Sequence, residues 1–190
     1  MADKKRLVIG ISGASGSALG VCALRLLHGL PDWETHLILT RSAILTIQTE
    51  IKETLDAILS LADIVYEEDN MAAAISSGSF QTAGMLVAPC SMKTVSGIAY
   101  GYSENLLLRA ADVTIKERRP LVILPREAPL STIHLKNLLI LAEAGAVIFP
   151  PVPAFYQNPE NLGDIVRHIV GRALSYFGIG SEGLYKPWTG

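Results

Sequence analysis

Cysteine is nearly absent: Cys22 and Cys90 are the only two in 190 residues. That is too few for a disulfide framework, and they form no Cys-x-x-Cys pair. His28, His36, His134 and His168 are scattered without ligand spacing, so no metal site is expected. Charged residues make up only 18% of the chain and the net charge is −2, which leaves no basic face for nucleic acid. No apolar run reaches the roughly 18 residues of a membrane span. Met1-Ala2-Asp3-Lys4-Lys5-Arg6 leads straight into an apolar strand without a signal-peptide core, so a cytoplasmic protein is expected. No Gly-Lys-Ser/Thr follows the first glycine loop, which excludes a P-loop, and no Gly-x-Ser-x-Gly elbow is present.

Apolar residues are what the chain has in plenty, at 49% with a mean hydropathy of +0.35. A single domain of this size cannot hide them all, so some of that surface is expected to meet other copies in a homo-oligomer. The pattern alternates strand and helix. Strands are expected at Leu7–Ile11, Thr35–Leu39, Ile64–Tyr66, Met85–Ala88, Leu121–Leu124 and Ala146–Phe149. Helices are expected near Ser17–Leu27, Ser42–Glu50, Thr54–Ala62, Ser91–Ala99, Glu104–Lys116, Thr132–Glu143 and Glu160–Tyr176. The short continuous apolar runs suit parallel strands covered on both faces, hence a doubly wound α/β sheet with ligands at the strands' carboxyl ends. Residues 1–177 would form this domain, and 178–190 a tail docking on the body or on a neighbouring subunit.

The stretch Leu7 to Gly20 is the most telling. A buried strand gives way to Ser12-Gly13-Ala14-Ser15-Gly16 and then to a helix. Small residues let a ligand approach the backbone, and the first amides of a helix attract an anion, so a phosphate cradle is expected. The dinucleotide fingerprint fits poorly, because Gly10, Gly13 and Gly16 are spaced three apart and no carboxylate ends the second strand. Arg41 keeps an NADP reading open, whereas FMN, with one phosphate and no second ribose, fits better.

Later strand ends add chemistry. Pro89-Cys90-Ser91-Met92-Lys93-Thr94 turns into a helix, where Ser91 and Thr94 suit either a flavin or plain helix capping. Cys90 reads as a nucleophile without a base or as a small buried filler. Arg126 and Glu127, between Pro125 and Pro129, offer a phosphate clamp and an acid or base, or an ordinary ion pair. Arg109 lies two turns before Lys116 on nearly the same helix face, a hint of a second anion site. Ser76-Ser77-Gly78-Ser79 suits a phosphate or a turn.

With these residues in hand, the chain resembles the UbiX-like flavin prenyltransferases, FMN-binding flavoproteins with Rossmann-like folds. The specific part is Lys116-Glu117-Arg118-Arg119-Pro120 followed by Pro125-Arg126-Glu127-Ala128-Pro129. Gly13-Ala14-Ser15-Gly16, Thr49-Glu50, Arg109-Ala110-Ala111-Asp112, Phe155-Tyr156 and Trp188 agree. The resemblance implies transfer of a dimethylallyl group from dimethylallyl phosphate to N5 and C6 of reduced FMN, without a metal. It also implies a UbiD-type decarboxylase as recipient of the product, and a dodecamer. Carried over by position, FMN would be held by Gly13, Ala14, Ser15, Thr40, Ser91, Met92, Lys93, Thr94 and Arg126. The prenyl phosphate would meet Lys116, Tyr156 and Arg172, with Arg109, Ser77 and Gly78 close by. Ser15, Glu50 and Glu127 would handle protons. An FMN carrier without prenyl transfer is the alternative, but it would need no second phosphate site. The related cysteine decarboxylases carry a Pro-x-Met-Asn type segment where this chain has Pro151-Val152-Pro153-Ala154-Phe155-Tyr156.

Overall fold

A computed structural model describes residues 4–180 and 184–188. Six strands are joined by seven helices: β1 (Lys5–Ile11), α1 (Ser17–Leu27), β2 (Trp33–Leu39), α2 (Arg41–Glu50), α3 (Leu55–Leu59), β3 (Ile64–Tyr66), β4 (Gly84–Cys90), α4 (Met92–Ala99), α5 (Leu106–Lys116), β5 (Leu121–Pro125), α6 (Thr132–Glu143), β6 (Val147–Ile148) and α7 (Leu162–Leu174). The strands are all parallel, in the order β3-β2-β1-β4-β5-β6. The chain order reverses between β1 and β4, which opens a crevice outside their carboxyl ends. Each face of β1 is covered. Leu7, Ile9 and Ile11 pack with Leu24 of α1 and Val170 and Ala173 of α7. Val8, on the other face, joins the cluster of Val95 on α4 and Leu107 and Ala111 on α5. Burial on both faces is why these strands read as unbroken apolar runs.

Element boundaries moved more than element identities. β4 extends through Pro89 to Cys90, while β6 shrinks to two residues. α3 is one short turn and a half, because Ser60 and the residues after it turn toward β3. α5 starts at Leu106, where Asn105 caps it, and α7 stops at Leu174 before a 3-10 turn, Ser175–Phe177. α6 carries the cap expected for it, the Ser131 hydroxyl accepting from His134, and Gly145 beyond it has φ 94°. Part of the tail, 181–183 and 189–190, and residues 1–3 lie outside the described residues. The described part touches the body: Leu184 sits against Gly171, and the Tyr185 ring meets His168 edge-on at 6.0 Å.

Candidate functional site

At the carboxyl end of the sheet the loop after β1 is locked to the end of β4. The buried Ser12 hydroxyl donates to the Pro89 carbonyl at 2.8 Å and accepts the Ser91 amide at 2.7 Å. From the other side, the Arg126 amide bonds the Cys90 carbonyl at 3.0 Å, and its Nε donates to the Ser15 carbonyl at 3.1 Å. Arg126 therefore ties β5 to the first loop across β4. Beside it opens a cleft of about 430 Å³ lined by Gly13, Thr40, Ser42, Ser91, Lys93 and Thr94. Arg41, Glu68, Asp69, Glu104, Asn105 and Leu108 complete the lining. Three of the lining residues start helices: Thr40 accepts from Ala43, Ser91 from Thr94 and Asn105 from Leu108. Gly13 is needed here because a Cβ would overlap Ser42. A row of hydroxyls, an amide side chain and a lysine is a donor set that suits a phosphate and its ribityl chain.

The head of α1 differs from the expected cradle. The Glu50 carboxylate, from the end of α2, accepts the Gly16 amide at 2.9 Å and the Ser17 amide at 2.9 Å. It also accepts the Ser17 hydroxyl at 2.7 Å. Gly16, at φ 98°, is the N-cap and has no side chain to do this, so a carboxylate from the same chain serves the helix dipole. Burial, the largest single influence, pushes the Glu50 carboxyl up, but hydrogen bonds from Ser15, Ser17 and the Gly16 amide outweigh it and hold it below the usual glutamate range. Those amides are thus engaged within the chain. Sequence reasoning missed this partnership, since it is tertiary, and it missed Asn105, whose position before Leu106 is a readable cap signal.

The remaining candidates fall into separate groups. Ala14 is buried, Ser15 is exposed above Glu50, and Met92 packs into the core rather than the cleft. Glu127 is exposed, with its carboxylate accepting the Ala128 amide at 3.1 Å. Cys90 is fully buried and burial raises its thiol pKa strongly, so it serves as a filler and not as a thiolate nucleophile.

Lys116, Ser77 and Gly78 come together toward the amino end of the sheet, just before β5 and β4, whereas Arg109, in the first turn of α5, adjoins Leu108 of the crevice lining. Lys116 bonds Glu117 at 2.6 Å, and a Cβ on Gly78 would lie 2.7 Å from Lys116 Nζ. Arg109 donates to the Ser76 carbonyl at 3.1 Å and to Asp112 at 2.8 Å. Lys116 lies eleven residues, about 16 Å, along α5 from Asn105 of the crevice lining. Tyr156 and Arg172 form a third group, an aromatic patch on α7 and the tail. Tyr156 faces His168 and Trp188 at 6.4 and 5.2 Å, and Arg172 lies over Phe149 and Tyr185 at about 6 Å. A larger cleft, about 520 Å³, adjoins this patch and is lined by Glu160, Asp164, Arg167 and His168 among others. Carboxylates line both clefts, but in the strand-end one Glu68 and Asp69 pair with Arg41 at 3.3 and 3.4 Å, beside the hydroxyls and Lys93.

The flavoprotein family model matches residues 1–174. A probable UbiX-like flavin prenyltransferase of Sedimentibacter hydroxybenzoicus is 50% identical over 185 residues, 97% of each chain. This chain is a UbiX-like member of the flavoprotein family. The flavin prenyltransferase UbiX of Escherichia coli K12 is 49% identical, over 98% of this chain and 99% of that one. Among solved structures, AnUbiX (PadA1) in complex with FMN and dimethylallyl pyrophosphate superposes with a TM-score of 0.95 at 45% identity, covering 98% of both chains. A dodecameric FMN-dependent UbiX-like decarboxylase from Escherichia coli O157:H7 gives 0.94 at 48% identity, covering 97% of this chain and all of that one. The single-domain, six-stranded parallel sheet is the Rossmann-like fold of the family. Among the described residues no helix is long and apolar enough to cross a membrane, and no group of three His, Cys, Asp or Glu is placed to hold a metal.

Proposed function

We propose that this chain transfers a dimethylallyl group from a dimethylallyl phosphate to reduced FMN, making prenylated FMN for a UbiD-type decarboxylase. The observation that carries this reading is the pairing of a hydroxyl-lined crevice at the β1–β4 reversal with a separate cationic group on the same chain. A carrier of FMN would need only the first. Thr40, Ser91, Lys93, Thr94 and Arg126 would hold FMN, with Gly13, Ala14 and Ser15 along its approach. Reduced FMN supplies the two carbon-accepting positions, N5 and C6. Lys116, with Arg109, Ser77 and Gly78, would balance the charge of the departing phosphate without a metal. Glu50 and Ser15, or Glu127, would take and return protons.

Because Lys116 and the crevice lie at opposite ends of α5, one copy would supply the crevice and another the phosphate ligands. Tyr156 and Arg172 would likewise reach a neighbouring site. That division favours a homo-oligomer, a dodecamer in keeping with the relative from Escherichia coli O157:H7. Free Cys22 and Cys90 suit a reducing, cytoplasmic setting. The test is anaerobic incubation with reduced FMN and dimethylallyl monophosphate, or the diphosphate in parallel, followed by mass spectrometry of the released flavin. Protein-dependent gain of one five-carbon prenyl unit is the expected result, and the donor that gives it identifies the leaving group. Unchanged FMN with both donors would return the protein to the carrier reading.

A further inference from the structure

On the sheet face beneath the 77–80 turn lies a closed polar circuit around His36. Its side chain is completely buried on β2, and both ring nitrogens are engaged. Nε2 lies 2.8 Å from Glu34 Oε1 and Nδ1 2.9 Å from the Tyr66 hydroxyl. The same Glu34 oxygen meets Arg6 Nε at 3.1 Å, and the Arg6 guanidinium lies 4.8 Å from the centre of the Phe80 ring. Phe80 closes the circuit by meeting the His36 ring edge-on at 5.3 Å. A carboxylate acceptor at Nε2 fixes the neutral tautomer that donates there and accepts from Tyr66 at Nδ1. The charged or titratable groups facing His36 are Glu34 on its own strand, Arg6 on β1, Tyr66 on β3 and, through space, Asp63.

Phe80 ends the turn that carries Ser77 and Gly78, and its amide bonds the Ser77 carbonyl at 3.2 Å. From the helix side Arg119 holds the Gly78 carbonyl at 2.7 Å and the Phe80 carbonyl at 2.8 Å, and Arg109 holds Ser76. Within residues 76–80 the arginines hold backbone carbonyls. The one side chain of the turn set into the sheet is Phe80, and His36 is the buried surface it rests on. We propose that His36 is a positioning residue for the prenyl-phosphate site: its ring, fixed by Glu34 and Tyr66, sets Phe80 and through it the orientation of Ser77 and Gly78 beside Lys116. This rests on the reading of that end of the sheet as the phosphate site. None of Arg6, Glu34, His36, Tyr66 and Phe80 lines the FMN crevice, so the effect is expected on the prenyl phosphate and not on FMN.

Steady-state kinetics of the full-length protein with reduced FMN and dimethylallyl monophosphate, together with FMN affinity from flavin fluorescence, test this. His36→Ala is expected to raise the KM for dimethylallyl monophosphate about tenfold, with kcat and FMN affinity within about twofold, and His36→Phe to recover most of the loss by restoring the ring. A purely structural role would lower the active fraction, and hence apparent kcat, and leave that KM alone. An unchanged KM in His36→Ala, while Lys116→Ala raises it, would overturn the positioning role and leave the phosphate site standing. An unchanged KM in both would remove the phosphate site and the proposal together. Should His36→Ala not fold, Glu34→Gln replaces it, with an expected KM rise of about threefold; no rise there, with Lys116→Ala raised, overturns the proposal equally.

Discussion

The Glu50 carboxylate, at the last position of α2, sits 2.9 Å from the Gly16 amide at the start of α1 and 2.7 Å from the Ser17 hydroxyl. One side chain thereby caps a helix it does not belong to and stands beside Ser15 in the crevice loop. Its structural and chemical roles separate by substitution. Glu50→Gln keeps one acceptor and loses the charge, so stability should fall by about 1 kcal/mol, a drop of roughly 2–4 °C in Tm by calorimetry. The protein should stay yellow with FMN, while turnover falls roughly a hundredfold if Glu50 handles a proton. Full activity would leave it a cap and nothing more.

Stability should depend on pH in two stages. Burial pushes the Glu50 and Asp63 carboxyls up, but their hydrogen bonds outweigh it, and both lie below the usual range. His36 lies below its ordinary value through burial, against a smaller opposing pull from Glu34. In each case the unfolded chain binds the proton more readily, so stability rises with pH between the folded and unfolded values. The His36 contribution is complete above about pH 6.5 and is lost as pH falls below it, and the carboxylates follow below about pH 4. Tm measured at pH 7.5, 5.5 and 3.5 should therefore fall at both steps, and His36→Phe should flatten the first.

Lys116→Ala should raise the KM for the prenyl phosphate at least tenfold and leave FMN binding unchanged, because Lys116 lies at the far end of the sheet from the crevice. Arg126→Ala should do the reverse. Loss of its bond to the Ser15 carbonyl frees the crevice loop, and FMN affinity should weaken about tenfold by fluorescence titration.

Gly13→Ala tests the crevice by crowding it. Its Cβ would overlap Ser42, so α2 must shift. A loss of about 1–3 kcal/mol in stability by urea unfolding is expected, together with weakened FMN retention on a desalting column.

The centre of the sheet was legible because its strands are buried on both faces: Leu7 to Ile11 and Leu121 to Leu124 have no exposed side chain to interrupt the run. Its ends were less so. Pro89 reads as a stop, yet β4 runs through it to Cys90, and the two-residue β6 is set by pairing with Val122 and Ile123 rather than by its own pattern. The hydroxyls at Thr40, Ser91 and Thr94 stood out at the strand ends, and they line one cleft. What no local pattern carries is which helix end a distant carboxylate will find, or that Lys116 and Arg126, close in sequence, are held apart by the length of β5. The cluster of His36, Glu34, Arg6 and Tyr66 was equally silent, since it needs three neighbouring strands to exist.

Thr40, Ser91 and Asn105 border the crevice with the same atoms that begin α2, α4 and α5. Mutational drift at these positions therefore has a narrow corridor. Alanine or a bulky residue unravels a helix start, and aspartate keeps the start but sets a negative charge against an anionic ligand. Serine, threonine and asparagine satisfy both demands. A descendant of this protein could change what its outer loops touch far more freely than it could change the polar rim of this cleft, whatever the substrate selection favours.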